Sequence, residues 1–257
     1  MHAIKDKIVF ITGASSGIGK ACALQCAAAG AKVILTARRL DKIQQLAKEI
    51  QQTYGIEALA CSMDVTKKES VALCIQQLPP GWQPIDILIN NAGLGLSTDP
   101  LQEGNPDNWD LMIDTNLRGV LYVLHAVLPS MVARDQGHII NIGSTAAQGH
   151  YVGGNVYCAT KHALRAISHS LRLDLSGKKI RVSEIEPGAV HTEFSEVRWK
   201  DKNRADDFYK DFTPLQAEDI ADAVLYCATR PPHVNISELV VYCTDQAAVS
   251  TIHRSKK

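Results

Sequence analysis

The chain lacks any excess of charge: across its 257 residues, 27 Lys and Arg are balanced by 27 Asp and Glu. A neutral chain offers no basic field to gather nucleic acid and no acidic tail. It has no run approaching the roughly 18 apolar residues of a membrane span. It enters an apolar, strand-like stretch at Lys7-Ile8-Val9-Phe10-Ile11 with no signal-like segment ahead of it. It also lacks a Ser/Gly linker, a low-complexity tract and an internal repeat, so residues 1–257 are expected to form a single domain. Its seven cysteines are an odd number with no C-x-x-C spacing, which excludes a disulfide framework. Reduced thiols suit a cytoplasmic compartment. His125 and His169 fall on predicted helices without clustered Cys, Asp or Glu, so no metal site is expected. Trp82, in a turn after Pro79-Pro80-Gly81, and Trp199, covering apolar surface, do not suggest base stacking. The terminal His253-Arg254-Ser255-Lys256-Lys257 reads as a solvated tail and not a membrane anchor.

What the chain does have is alternation. Short β-branched runs predict strands at Ile8–Thr12, Lys32–Thr36, Glu57–Ser62, Ile85–Asn90, His138–Ile142, Ile180–Glu186 and Leu239–Tyr242. Helical periodicity lies between them, at Ile18–Ala29, Asp41–Tyr54, Lys67–Leu78, Pro106–Arg134, Asn155–Ser176 and Ala217–Ala228. Gly30, Gly55 and Gly177 stand where helices should end. This order predicts an α/β fold, a doubly wound parallel sheet with helices on both faces and a ligand crevice at the carboxyl ends of its strands. Residues 191–214 break the rhythm, and read either as a lid over the crevice or as a solvated excursion.

The first strand runs into Thr12-Gly13-Ala14-Ser15-Ser16-Gly17-Ile18-Gly19 and then a helix. Gly13 permits a tight exit from the strand, Gly17 lets backbone approach phosphate, and Gly19 allows close helix–strand contact. The unpaired N–H groups of the helix N-terminus favour a pyrophosphate. The spacing is G-x-x-x-G-x-G, so the generic G-x-G-x-x-G fingerprint does not itself apply. The second strand ends Leu35-Thr36-Ala37-Arg38-Arg39. A carboxylate there would serve the ribose hydroxyl of NAD, whereas arginine grips a 2′-phosphate. Arg38 and Arg39, with Ser15 as a supporting hydroxyl, therefore point to NADP(H). Asp64-Val65 closes the third strand, where Asp64 either meets the adenine or caps the next helix.

Tyr157 and Lys161 lie four apart and share one helix face. A free phenol ionises near pH ~10, and a neighbouring ammonium favours the phenolate. Such a pair can donate a proton to an alkoxide or take one from an alcohol. Ser144 follows a predicted strand and can donate to the substrate oxygen where charge develops. Asn116 falls on the apolar face of its helix with Trp109, Ile113, Val120 and Leu124, so its amide must be paired. It reads either as a structural fastener or as part of a water relay to Lys161.

With these residues in place, the chain resembles the short-chain dehydrogenase/reductase family over nearly its whole length. The resemblance rests on Thr12–Gly19, Asn90-Asn91-Ala92-Gly93, Asn116, Ser144, Tyr157, Lys161, and Pro187-Gly188 with Thr192 beyond. It implies a Rossmann-type fold and a catalytic tetrad of Asn116, Ser144, Tyr157 and Lys161, none of them substituted. It also implies that Asn91, Ala92 and Gly93 line the ribose side of the cofactor, that Val190 and Thr192 meet the nicotinamide carboxamide, and that Lys161 bonds the ribose hydroxyls. A homotetramer or dimer packed through the two long helices of the second half is implied as well. Residues 192–198 (Thr-Glu-Phe-Ser-Glu-Val-Arg), Thr213-Pro214-Leu215, His233-Val234-Asn235-Ile236 and Asp245-Gln246 are similar to NADP-dependent 3-hydroxy acid dehydrogenases acting on serine, allo-threonine and malonic semialdehyde. Arg198 would then clamp a substrate carboxylate, or else form a surface ion pair. The alternatives are a reductase of 3-oxoacyl, sugar or hydrophobic carbonyls, and a non-catalytic NADP(H)-binding regulator.

Overall fold

Strands covered on both faces can be apolar at every position, and β1 (Ile8–Thr12) is buried from end to end. The structure is a computed structural model that describes residues 4–255. In chain order follow α1 (Gly17–Ala28), β2 (Lys32–Ala37), α2 (Leu40–Tyr54), β3 (Ala58–Ser62), α3 (Lys68–Gln76) and β4 (Ile87–Asn90). Then come α4 (Pro106–Ile113), α5 (Gly119–Arg134), β5 (Gly137–Ile142), α6 (Asn155–Asp174) and β6 (Ile180–Pro187). The chain continues through α7 (Glu193–Trp199), α8 (Lys202–Phe208), α9 (Ala217–Ala228), β7 (Glu238–Val241), and a small hairpin of β8 (Gln246–Ala248) and β9 (Thr251–Ile252). The large sheet has the order β3-β2-β1-β4-β5-β6-β7, every pair parallel. Its order reverses between β1 and β4, which opens a crevice at their carboxyl ends.

The period-two alternation of β1 divides the core. Val9 and Ile11 face a layer built from α1, α2 and α9. Ile8 and Phe10 face α3, α5 and α6. The expected helix at Pro106–Arg134 is interrupted by a π turn at Asp114–Arg118. On length and composition alone this run could cross a membrane, contrary to the sequence reading. Its apolar stripe of Val120, Val123, Leu124, Val127 and Met131 lies instead against the sheet.

The C-terminal tail is exposed at His253–Ser255, as expected, yet it is tied to the fold. Arg254 donates from Nη2 to Phe208 O at 2.9 Å and stacks over Phe212, so this residue clasps α8 to the C-terminal hairpin. Lys256 and Lys257 of the same cluster lie outside the described residues.

One charged side chain inside the sheet holds a helix end. Arg181 of β6 donates to the carbonyls of Cys227 (3.1 Å) and Ala228 (3.1 Å) at the end of α9, and to those of Arg230 (3.3 Å) and Val234 (3.3 Å) in the loop beyond it. Replacing it by Leu strips those carbonyls of a charged donor, and about 3 kcal/mol of stability should be lost. Urea denaturation measures this directly; an unmoved midpoint would mean that water takes over the carbonyls.

Candidate active site

The crevice is a cleft of about 710 Å³ at the carboxyl edge of the sheet. Its floor is stitched across the switch point. Thr12 Oγ1 accepts the N–H groups of Asn91 (3.0 Å) and Ala92 (2.9 Å), while Asn91 Nδ2 donates to the carbonyls of Thr12 (2.9 Å) and Gly13 (3.1 Å). The Asn91 amide, expected along the ribose wall, is thus spent on the glycine loop. That loop leaves no room for side chains. Gly13 has φ +67°, and a Cβ on Gly19 would stand 2.4 Å from Gly13 O. Ser16 precedes α1 without capping it through its side chain. The first N–H groups of α1, through Gly17, Ile18 and Gly19, remain available to an anion.

Ser15 and Ser16 serve Arg39 instead. Its Nε and Nη2 donate to Ser15 Oγ at 3.1 and 2.9 Å, Nη2 also to Ser16 Oγ at 2.7 Å, and Nη1 to Glu193 Oε2 at 2.9 Å. Arg38 lines the same wall. A guanidinium held by two hydroxyls, with Ala37 where a carboxylate would repel phosphate, fits a dinucleotide bearing a 2′-phosphate. Asp64 lines this end too, and its carboxylate accepts from Thr66 N (3.0 Å) and Thr66 Oγ1 (2.8 Å). It therefore organises a turn ahead of α3, close to the capping alternative. Val65, beside it, is buried against Gly119.

At the other end, Lys161 is 7% exposed and donates to Ile142 O at 2.9 Å. Its Nζ stands 5.9 Å from the centre of the Tyr157 ring, one helical turn away. Ser144, directly beyond β5, accepts from Ala146 N at 3.1 Å, which leaves its own O–H free to donate into the cleft. Asn116 sits in the π turn at 1% exposure. Its Oδ1 accepts from Leu94 N (2.9 Å), and its Nδ2 donates to Leu94 O (2.8 Å) and Thr160 Oγ1 (3.1 Å). Of the two readings open for this side chain, the geometry is that of the fastener: both amide hydrogens are committed. It ties the loop after β4 to α6, just behind Gly93.

The stretch after β6 is folded over the cleft. Gln246 Oε1 accepts from Ala189 N at 2.8 Å and fills the space a Cβ on Gly188 would need. Val190 O accepts from the Tyr209 hydroxyl at 2.7 Å. Thr192 caps α7, and its side chain lies over Gly17. Residues 191–214 form α7 and α8 with Phe194, Arg198, Trp199, Phe208 and Tyr209 lining the cleft, so the excursion reading gives way to a cover. Arg198 is no surface ion pair. Its guanidinium is 4.7 Å from the ring centres of both Tyr157 and Phe194, and its buried Nε and Nη2 have no hydrogen-bond partner among the described residues. Tyr151 stands 5.9 Å from the same guanidinium, and burial pushes its phenol up to about 12, so it stays neutral. Tyr151, Glu193, Phe194 and Gln246 were not singled out as site residues by the sequence; the last three fall in stretches that carry the resemblance, but only the folding of distant segments onto the cleft makes them part of it.

Replacing Arg39 with Ala removes the charged donor at the end of β2. The Kd for NADP+ should rise about 10–100-fold, the worth of one or two charge-assisted hydrogen bonds, with NAD+ affinity nearly unchanged. Fluorescence titration with both coenzymes checks this; equal weakening of the two would remove Arg39 from phosphate recognition.

Residues 7–203 match the family described as short chain dehydrogenase. The NADP-dependent 3-hydroxy acid dehydrogenase YdfG of Salmonella typhi is 45% identical over 96% of this chain and 100% of its own. Sulfoacetaldehyde reductase 2 of Chromohalobacter salexigens is 42% identical, covering 93% of this chain and 95% of its own. Among solved structures, the closed form of serine dehydrogenase complexed with NADP+ superposes with a TM-score of 0.90 at 42% identity, covering 96% of this chain and 100% of that one. The sheet order, the arginine at the end of β2 and these relatives converge: the chain belongs to the short-chain dehydrogenase/reductase family and is an NADP-dependent oxidoreductase of it.

Proposed function

We propose that this enzyme interconverts small 3-hydroxy acids and their 3-oxo acids, with Tyr157 as acid/base and Arg198 holding the acid group. The observation that carries the reading is the Arg198 guanidinium, which lines the cleft 4.7 Å from the centre of the Tyr157 ring with no carboxylate paired to it among the described residues. Its Nε–Nη2 edge is turned to Gly95, 2.8 and 2.6 Å from where a Cβ there would stand, so an anion in the cleft would meet the guanidinium on its remaining side, where a charge-assisted hydrogen bond from Nη1 would hold it. In a 3-hydroxy acid a single carbon separates the reacting carbon from the carboxylate. A substrate that short suits a phenol and a guanidinium that lie side by side.

Bound NADP(H) supplies or accepts the hydride. Tyr157 donates its proton to the oxygen of the carbonyl being reduced, or accepts one from the hydroxyl being oxidised. Ser144 donates to the same oxygen and stabilises charge that develops there. Lys161 keeps a positive charge beside the phenol, Asn116 fixes the loop and helix on either side of it, and the cover formed by α7 and α8 excludes water. Val190 and Thr192 present backbone and hydroxyl to the nicotinamide side. The proposed working form is a cytoplasmic homotetramer or dimer, supported by Leu121 on α5 and Leu173 on α6, which are 43% and 77% exposed.

A second reading has its own support. Sulfoacetaldehyde also carries an anionic group one carbon from its carbonyl, and a relative named for its reduction is 42% identical. The same guanidinium would hold a sulfonate, so the substrate panel must contain both classes.

Initial rates with L-serine, L-allo-threonine, 3-hydroxypropionate and the sulfonate alcohol, against neutral alcohols of equal size, test the anion requirement. Arg198→Met should raise KM for the acids about 10–100-fold, the loss of a charged hydrogen-bond pair, and barely alter KM for neutral alcohols. Equal effects on both would end the clamp. Tyr157→Phe should lower kcat by about 10²–10⁴-fold or more while NADP+ affinity holds; retained turnover would defeat the mechanism.

A further inference from the structure

A strand in the middle of a parallel sheet should be apolar, yet β6 turns Glu184 and Glu186 toward α6, both of them 0% exposed. Glu186 is provided for: Gln148 donates to it at 2.6 Å, and Arg165 Nε stands 3.5 Å away. Glu184 is not. Neither carboxyl oxygen has a hydrogen-bond partner among the described residues, the nearby Ser168 hydroxyl donating to Leu164 O at 3.0 Å instead. Its Oε1 takes the place where a Cβ on Gly143 would sit, only 2.4 Å from that position. The carbonyl of Ile142, to which Lys161 donates at 2.9 Å, belongs to the same planar peptide group as the Gly143 Cα. The ammonium and the carboxyl therefore flank one peptide unit and are no more than about 10 Å apart.

The other charges around Glu184 are engaged elsewhere. From α6, Arg165 is held by Glu238 of β7 at 2.9 Å, and His169 bonds the same carboxylate. From β6 comes Glu186, and from β5 only the neutral Asn141, whose amide donates to Ser168. Among the described residues, Lys161 is the cation left facing Glu184.

We propose that Glu184 is a positioning residue that acts on the reaction through Lys161, setting the pH range in which Tyr157 exchanges its proton. This rests on Tyr157 and Lys161 being the acid/base pair. Burial pushes the Glu184 carboxyl up to about 7, ahead of the smaller effects of Ser168, Glu186, Lys161 and Glu238. Below that pH the group is neutral and the field of Lys161 at the phenol is unopposed. Above it the carboxylate offsets that field and the phenol keeps its proton longer. Carbonyl reduction, which needs the phenol, is sustained into alkaline solution at the expense of oxidation.

The test is the pH dependence of oxidation and reduction rates, over pH 5.5–9.5, for the wild type and the isosteric Glu184→Gln variant. The two should coincide near pH 6. Above pH 7 the variant should oxidise several-fold faster, and its loss of reduction should begin on the order of one pH unit earlier, the effect of one charge at this separation. A variant with only a packing defect would be slower at every pH, with the profile unmoved; that result, or superimposable profiles, overturns the proposal. Infrared difference spectra of the wild type keep the test independent of the variant's folding. A protonated-carboxyl band should titrate away between pH 6 and 8, whereas a wild type with no such band, or one unchanged to pH 9, overturns the proposal. Loss of turnover in Tyr157→Phe together with an unmoved Glu184→Gln profile defeats this inference alone; turnover kept by Tyr157→Phe defeats the reading beneath it.

Discussion

Lys161 is an ammonium that the fold has taken out of water, and such a group must find an acceptor. It finds Ile142 O at the last residue of β5, and the position of that oxygen is not free to drift. Ile142 is in register with Ile185 of β6, and Gly143 N donates to Ile185 O at 2.7 Å. The parallel pairing of two central strands thus sets where the ammonium sits. Tyr157 follows one helical turn earlier on α6, and Ser144 two residues beyond the anchored carbonyl. Both hydroxyls proposed to act on the substrate are located by the same strand end.

The cover depends on that arrangement without being held by charge. α7 touches both ends of the cleft: Glu193 at its start pairs with Arg39 and Lys42, and Arg198 near its end lies on Tyr157. The Arg39–Glu193 pair has side chains 43% and 44% exposed, and an ion pair in water contributes at most about 1 kcal/mol. What fixes the segment is apolar contact. Trp199 packs on Phe208, Phe208 on Tyr209 and Phe212, and Arg254 of the terminal hairpin stacks across the last of these. Caps at Thr192 and Asp201 then break the insertion into two short helices. The result is a cover that presents Phe194, Trp199, Phe208 and Tyr209 to the cleft beside a single guanidinium, the group proposed to hold the substrate's anion.

The sheet, its order of elements and the glycine loop were legible in the sequence because each is written in local spacing. Alternation of period two, helical periodicity, and glycines with positive φ at Gly30, Gly55 and Gly177 all act over a few residues. Tyr157, Lys161, Ser144 and Arg39 were legible for the same reason, each standing at a fixed offset from a strand or on one helix face. The expected helix at Pro106–Arg134 was right in extent and missed its π turn, because a one-residue change of helical winding leaves no compositional mark.

Partners were the illegible part. Asn116 could be recognised as a buried amide, but not as one committed to Leu94 and Thr160, since those residues lie 22 and 44 positions away. Arg181 and Glu184 carry a signal that was available: a strand expected to be covered on both faces held charges on each of them. A period-two pattern assigns such a residue to a face and cannot say what waits there. For Arg181 it is the end of a helix and the loop after it, whose carbonyls the guanidinium gathers. For Glu184 it is the underside of the peptide that anchors the ammonium, where a carboxyl has no acceptor role to fill and no donor to satisfy it. A buried acid in that position lowers stability as pH rises from its unfolded value near ~4.3 toward its folded value, because the native state holds the extra proton. A cost that grows as pH rises to about 7, next to the lysine proposed to serve the acid/base pair, is better explained by control of charge than by packing.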